Sequence, residues 1–162
     1  MCSKNIWKIG IMIVAGLVIF IPVTQAQTPF DITYCVSNTV TIISQSKELT
    51  VFGTEGKGIV ISNHENKVFD SMTWHFVGIN KTVEGKRTAI IYAKFMDPDG
   101  DTIVGEILVD EPVKELKFLQ GTGKWKGIKS GGKGPGITKG KPIVPGTGQG
   151  CSRIVGTFEL PE

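Results

Sequence analysis

Beyond residue 30 the chain alternates apolar and polar side chains in short runs broken by turn residues, and no stretch keeps a helical period for more than about ten residues. The sharpest run is 87–95, where Ala89, Ile91, Ala93 and Phe95 share one face while Thr88, Ile90, Tyr92 and Lys94 share the other. A two-residue side-chain period is the mark of a strand with one buried face. Asp97-Pro98-Asp99-Gly100-Asp101 then predicts a tight turn, because Pro98 fixes φ and Gly100 is free to take positive φ. Residues 102–109 return as the second arm of a hairpin. Near the C-terminus 153–160 alternates as cleanly, with Ile154, Gly156, Phe158 and Leu160 on one side. Further strands are expected at 32–36, 40–46, 49–52, 58–62 and 72–79, with turns at 53–57 and 80–86. Short additions are expected at 117–119 and 124–128, and a single helical turn at 111–116. Residues 121–150 are rich in Gly, Lys and Pro and predict a long mobile loop. Eight or nine antiparallel strands in one domain suit a closed β-barrel or a sandwich.

The start of the chain follows a different pattern. Lys4 and Lys8 precede an apolar run from 9 to 23, and Thr24-Gln25-Ala26 offers small residues for cleavage. That is the layout of a secretory signal peptide over 1–26, leaving 27–162 as the working domain, secreted or periplasmic. The run falls short of the roughly 20 apolar residues of a spanning helix, so membrane contact is expected during export alone. Removing the segment takes two lysines and no acid, so the remainder is nearly neutral and carries no global field for nucleic acid.

Cleavage also removes Cys2 and leaves Cys35 and Cys151 as an even pair near the two ends of the mature chain. In an exported protein such a pair predicts a disulfide, and the alternative is two separate buried thiols. A bridge would close a loop worth about 5 kcal/mol in the chain-entropy model. It would also place the first strand beside the last, as closure of a barrel does and a sandwich need not. The expected fold is therefore an all-β, single antiparallel eight-stranded closed barrel.

Candidate chemistry is sparse. His64, Glu65, Asp70 and His75 have general acid–base or metal potential if a turn unites them, but the alternation leaves open which face of His75's strand points inward. Asp97, Asp99 and Asp101 are dense enough in oxygen for calcium, yet the glycine and glutamate positions of an EF-hand loop are wrong, and a structural turn is expected. Residues 127–134 nearly spell a phosphate-binding loop, but Gly134 stands where a hydroxyl must hold magnesium. Neither cysteine has a second ligand at metal spacing, so no metal and no cofactor is expected. Seven lysines and no acid lie between Lys117 and Lys141, a solvated loop or an anion-contacting face. Asn80-Lys81-Thr82 is a glycosylation sequon.

Gly121-Thr122-Gly123-Lys124-Trp125-Lys126-Gly127-Ile128, entered through Phe118 and Leu119, resembles the "GGTGxFxGaxG" turn of dirigent proteins and allene oxide cyclase-like barrels. Gly156-Thr157-Phe158 is similar to that family's closing "GTF" step. The resemblance spans roughly 87–160 and implies an eight-stranded barrel with Trp125 tucked into its wall. The family's catalytic aspartates and arginine have no matching positions here, so the fold carries over and the chemistry does not. The expected function is a non-catalytic binding or structural module, with an apolar small molecule as its partner and Trp74, Phe95, Trp125 and Phe158 as candidate walls. Small inward residues such as Ala89 and Ala93 would leave room for it. The alternative is an isomerase or cyclase that steers a reactive intermediate, with His75, Tyr92 or Glu106 as its polar participant.

Overall fold

The computed structural model describes residues 26–161, so the predicted signal segment lies outside the described residues apart from Ala26. Eight strands form: β1 (Thr28–Gln45), β2 (Leu49–Ser62), β3 (Thr73–Val83), β4 (Lys86–Met96), β5 (Thr102–Asp110), β6 (Val113–Gly121), β7 (Lys129–Lys139) and β8 (Thr147–Glu159). Each pairs antiparallel with the next, and β8 returns to β1, closing the barrel. Closure leaves no free sheet edge.

The predicted inward face of 87–95 is buried as read, with Ala89, Ile91, Ala93 and Phe95 all in the core. Ile154 and Phe158 do the same on β8. Cys35 and Cys151 are register partners on β1 and β8 with Cα atoms 4.1 Å apart, and they form the disulfide. The bridge thus crosses the seam where the barrel closes.

Several expected breaks are absent. The predicted pairs 32–36 with 40–46, and 49–52 with 58–62, are two continuous strands, and the turn expected at 53–57 is part of β2. No helix forms at 111–116, where a turn leads directly into β6. Residues 124–128 form no strand, and a short 3₁₀ turn occupies Gly123–Trp125.

The largest difference is in the supposed mobile loop, which contains β7 and the start of β8. Its glycines permit close approach between strands: a Cβ at Gly131 would stand 1.9 Å from the Leu116 carbonyl oxygen, and one at Gly134 1.9 Å from that of Arg153. The lysines of this stretch are partly neutralised. Lys124 pairs with Asp97 and Asp99, and Lys133 with Glu115.

The two ends of the barrel are built differently. At the end where β1 begins, Phe69 lies at the centre of a plug, its ring centroid 5.1 to 5.4 Å from those of Phe30, Phe118, Trp125 and Phe158. Phe69 reaches this place from the β2–β3 loop with φ of 64°, a conformation costly for a bulky residue and held by the surrounding packing. Trp125 is pinned by a hydrogen bond from its Nε1 to Asp97, 2.8 Å long. The same carboxylate accepts the amides of Asp99 and Asp101 and an ion pair from Lys124. Burial alone would push the Asp97 carboxyl up, but the bonds from Lys124, Trp125 and the Asp101 amide outweigh it and hold the group below its ordinary value. The aspartate cluster is thus a latch between the β4–β5 and β6–β7 turns.

Candidate ligand-binding site

Strand alternation sends residues 34, 36, 38 and 40 of β1, 52 and 54 of β2, 74 and 76 of β3, 87 and 91 of β4, 107 and 109 of β5, and 114 of β6 to the lining of one cavity. It occupies the end opposite the plug and has a volume of about 760 Å³, enough for a small organic ligand. Its deeper wall is apolar, built from Trp74, Phe76, Ile91 and Ile107 below Val36 and Val109. Trp74 forms much of the floor, stacked on Phe76 at 4.8 Å and Phe95 at 5.5 Å and met edge-on by Tyr34 at 5.0 Å. Gly58 makes room for that indole, since a Cβ there would stand 2.6 Å from Trp74 Nε1.

Around the mouth the inward positions are polar and form one connected chain. Asn80, fully buried, donates to Thr54 Oγ1 at 3.0 Å and accepts from Arg87 Nε and Nη2 at 3.0 and 2.6 Å. Arg87 Nη1 then donates to Glu111 at 3.0 Å. Its charge is therefore matched and its fork occupied.

Lys114 enters the same cavity from β6. Its Nζ donates to Ser152 Oγ and stands 5.7 Å from the centroid of the Tyr34 ring, and among the described residues no carboxylate forms a salt bridge with it. Burial depresses its pKa, the positive charge of Arg87 adds to the effect, and Glu111 opposes it. Burial also pushes the Tyr34 phenol up to about 12, against smaller pulls from Ser152 and Arg87. Ser152 is the register partner of Tyr34 and its hydroxyl is near enough to draw the phenol's pKa down, but the buried Tyr34 hydroxyl does not reach hydrogen-bond geometry with it or with any other group among the described residues, and the Ser152 oxygen already accepts from Lys114.

No model of a known protein family matches the chain, and no curated protein matches it either. Among solved structures, a pterocarpan synthase dirigent protein matches with a TM-score of 0.53 at 15% identity, covering 91% of this chain and 99% of that one. The fold is a dirigent-like barrel. At that identity the likeness concerns the fold alone.

The residues singled out from sequence are scattered over this dirigent-like barrel. Of the four candidate walls, Trp74 lines the cavity, whereas Trp125 and Phe158 belong to the plug and Phe95 packs beneath Trp74. His75, Tyr92 and Glu106 all point outward: His75 bonds Glu55 at 2.8 Å on the outer wall, and Tyr92 interacts with Glu106 across β4 and β5. None of the three lines the cavity. They follow the outward side of the alternation that buries Trp74, Phe76 and Ile91. His64 is held in the β2–β3 loop, its ring accepting from the Asn66 amide, and no group of three metal-ligating side chains forms among the described residues. The sequon asparagine is buried in the mouth network, which leaves no room for a glycan on Asn80. Tyr34, Asn80, Arg87 and Lys114, which shape the polar side of the cavity, went unread as site residues. The available signal was their inward parity on the strands.

Proposed function

We propose that the protein is an exported binding barrel that holds one small molecule with an apolar body and an oxygen acceptor. The observation that carries this reading is the one-ended cavity of about 760 Å³, with aromatic and aliphatic walls and Lys114 as a donor without a carboxylate partner among the described residues. Apolar walls supply affinity by burial, and a few placed polar groups fix orientation. Export is supported by the Cys35–Cys151 disulfide together with the signal-like pattern that ends near Ala26. The pterocarpan synthase name belongs to the structural neighbour and does not define the ligand here.

A second reading, a steering isomerase of the allene oxide cyclase kind, is favoured by one feature: the cavity contains ionisable groups perturbed by burial, Lys114 and Tyr34. In that reading the polar participants are these two, in place of His75, Tyr92 and Glu106.

Native mass spectrometry of protein purified from its host tests the binding reading. A bound organic mass is expected on the wild type and not on Val36→Trp, which fills the cavity from β1. Wild-type protein without any bound mass, and without tryptophan-fluorescence change on titration with apolar carbonyl and carboxylate compounds, would overturn it.

A further inference from the structure

The mouth of the cavity holds two cations in contrasting states. Arg87 is committed to Asn80 and Glu111, whereas Lys114 reaches a hydroxyl and the face of an aromatic ring. A half-buried primary amine at the mouth of a chamber with an apolar floor is placed as a nucleophile as well as a hydrogen-bond donor. We propose that Lys114 is a covalent capture site, whose amine condenses with the aldehyde or ketone carbonyl of an apolar ligand seated in the cavity to form a reversible imine. This rests on the binding reading above and adds the ligand's reactive group.

The chemistry balances without any oxidant or reductant. The Nζ lone pair attacks the carbonyl carbon, a C–N bond forms, and the carbonyl π pair moves to oxygen, which takes up a proton as nitrogen gives one up. The carbinolamine then loses its hydroxyl with a proton as water while the nitrogen lone pair closes the C=N bond. Water returning through the mouth reverses the sequence and frees the ligand.

Three local features serve these steps. Ser152 Oγ accepts from Nζ and orients it, and the Tyr34 ring, its centroid 5.7 Å away, walls the amine on one side. Trp74, Phe76 and Ile107 exclude bulk water from the newly formed imine. The depressed pKa of Lys114 raises its neutral, reactive fraction relative to exposed lysines. The charged and titratable groups that share this chamber are Arg87 from β4, Glu111 from the β5–β6 turn, Tyr34 from β1 and Lys139 from β7.

The test uses oxidised mature protein, 2-naphthaldehyde as the probe, and sodium cyanoborohydride to fix any imine as a secondary amine. Binding is followed separately by quenching of tryptophan fluorescence without the reductant. The expected result is one adduct per chain, with the mass of the aldehyde less one oxygen, mapped to Lys114. It should form ahead of adducts at exposed Lys57, Lys81 and Lys94, because the lowered pKa of Lys114 leaves more of its amine neutral at a given pH. Lys114→Met should lose the fast adduct, and the outward-facing control Lys57→Met should keep both the quenching and the fast adduct. Quenching without preferential labelling of Lys114, or equal labelling of the wild type and Lys114→Met, overturns the capture and leaves binding intact. Absence of both quenching and adduct counts against the binding reading, and the capture falls with it.

Discussion

At one end of the barrel four aromatic rings close around Phe69, and the free space among Ile32, Phe69, Met72 and Phe118 is about 10 Å³. At the other end the same eight strands surround about 760 Å³. The backbone architecture is shared, so the difference comes from which side chains occupy the inward positions and which loops fold over them. The plug is filled from outside the strands: Phe69 arrives on the β2–β3 loop and Trp125 on the β6–β7 turn, and each is held by a specific contact. The mouth receives nothing comparable. Its lining includes Asn38, Thr54, Arg87 and Lys114, with the buried Asn80 bonded behind Thr54 and Arg87, while Trp74 and Phe76 close the floor. One end is therefore packed solid, and the other leaves the space that the proposed function assigns to a ligand.

The contrast breaks most sharply at Phe69. Replacing it with alanine removes the ring that touches four others and leaves a void that the surrounding strands cannot collapse to fill. We expect a loss of about 3–5 kcal/mol in unfolding free energy by urea denaturation. Under the proposed function, the protein that remains folded should bind an apolar carbonyl or carboxylate compound with the wild-type affinity, because Phe69 does not line the large cavity. A loss below about 1 kcal/mol, the size of a surface change, would mean that the plug is not the stabilising end.

These two ends also differ in how far they could be read from sequence. Residues 87–95 and 153–160 were legible because their inward faces are apolar and their outward faces mostly polar, and the Cys35–Cys151 pair was legible from its position at the two ends of the domain. Toward the mouth the inward face itself turns polar. Asn38 interrupts β1 and Thr54 sits in β2 amid glycines, so the two-residue period fades and continuous strands read as pairs of fragments. Asn80 and Arg87 fell at the margins of an expected turn, and Lys114 in an expected helical turn, so no face was assigned to them. The signal weakens at the mouth because the side chains that face the cavity there are themselves polar. Phe69 was hidden differently, since a loop residue obeys no period, and β7 was hidden because its glycines have no side chains to alternate.

A second way to sharpen the comparison is the latch that holds Trp125 in the plug. Asp97→Asn keeps the shape but removes the charge that Lys124, Trp125 and two backbone amides address. Losing charge-assisted hydrogen bonds at a buried site should cost about 1.5–3 kcal/mol. The sign of the pH dependence follows from the folded carboxyl lying below its ordinary value of 3.8. The unfolded chain binds the proton more readily, so this stabilisation is fully present above that value and is lost as pH falls through the lower, folded one. Urea midpoints measured across the acidic range should fall less steeply for Asp97→Asn than for the wild type. A residual slope is expected from Asp31, whose carboxyl is held down chiefly by its hydrogen bond from Arg153. Parallel curves for the two proteins would show that the latch does not depend on charge.

The smallest expected effect lies at the cavity end and has the opposite sign. The Tyr34 hydroxyl is buried without a hydrogen-bond partner among the described residues, and the nearby Ser152 oxygen is committed to Lys114. Tyr34→Phe retains the ring against Trp74 and beneath Lys114 while deleting a polar atom whose desolvation is uncompensated. Removing an unsatisfied buried group relieves that penalty, so urea denaturation should show stability unchanged or raised by about 1 kcal/mol. At the plug, by contrast, every polar atom of Asp97 that is deleted leaves donors behind. Destabilisation of Tyr34→Phe by more than about 1 kcal/mol would mean that the phenol is bonded in solution. The mouth would then be a satisfied polar network like the Asp97 latch, and the division between a stabilising end and a binding end would fail at the residue where the two meet.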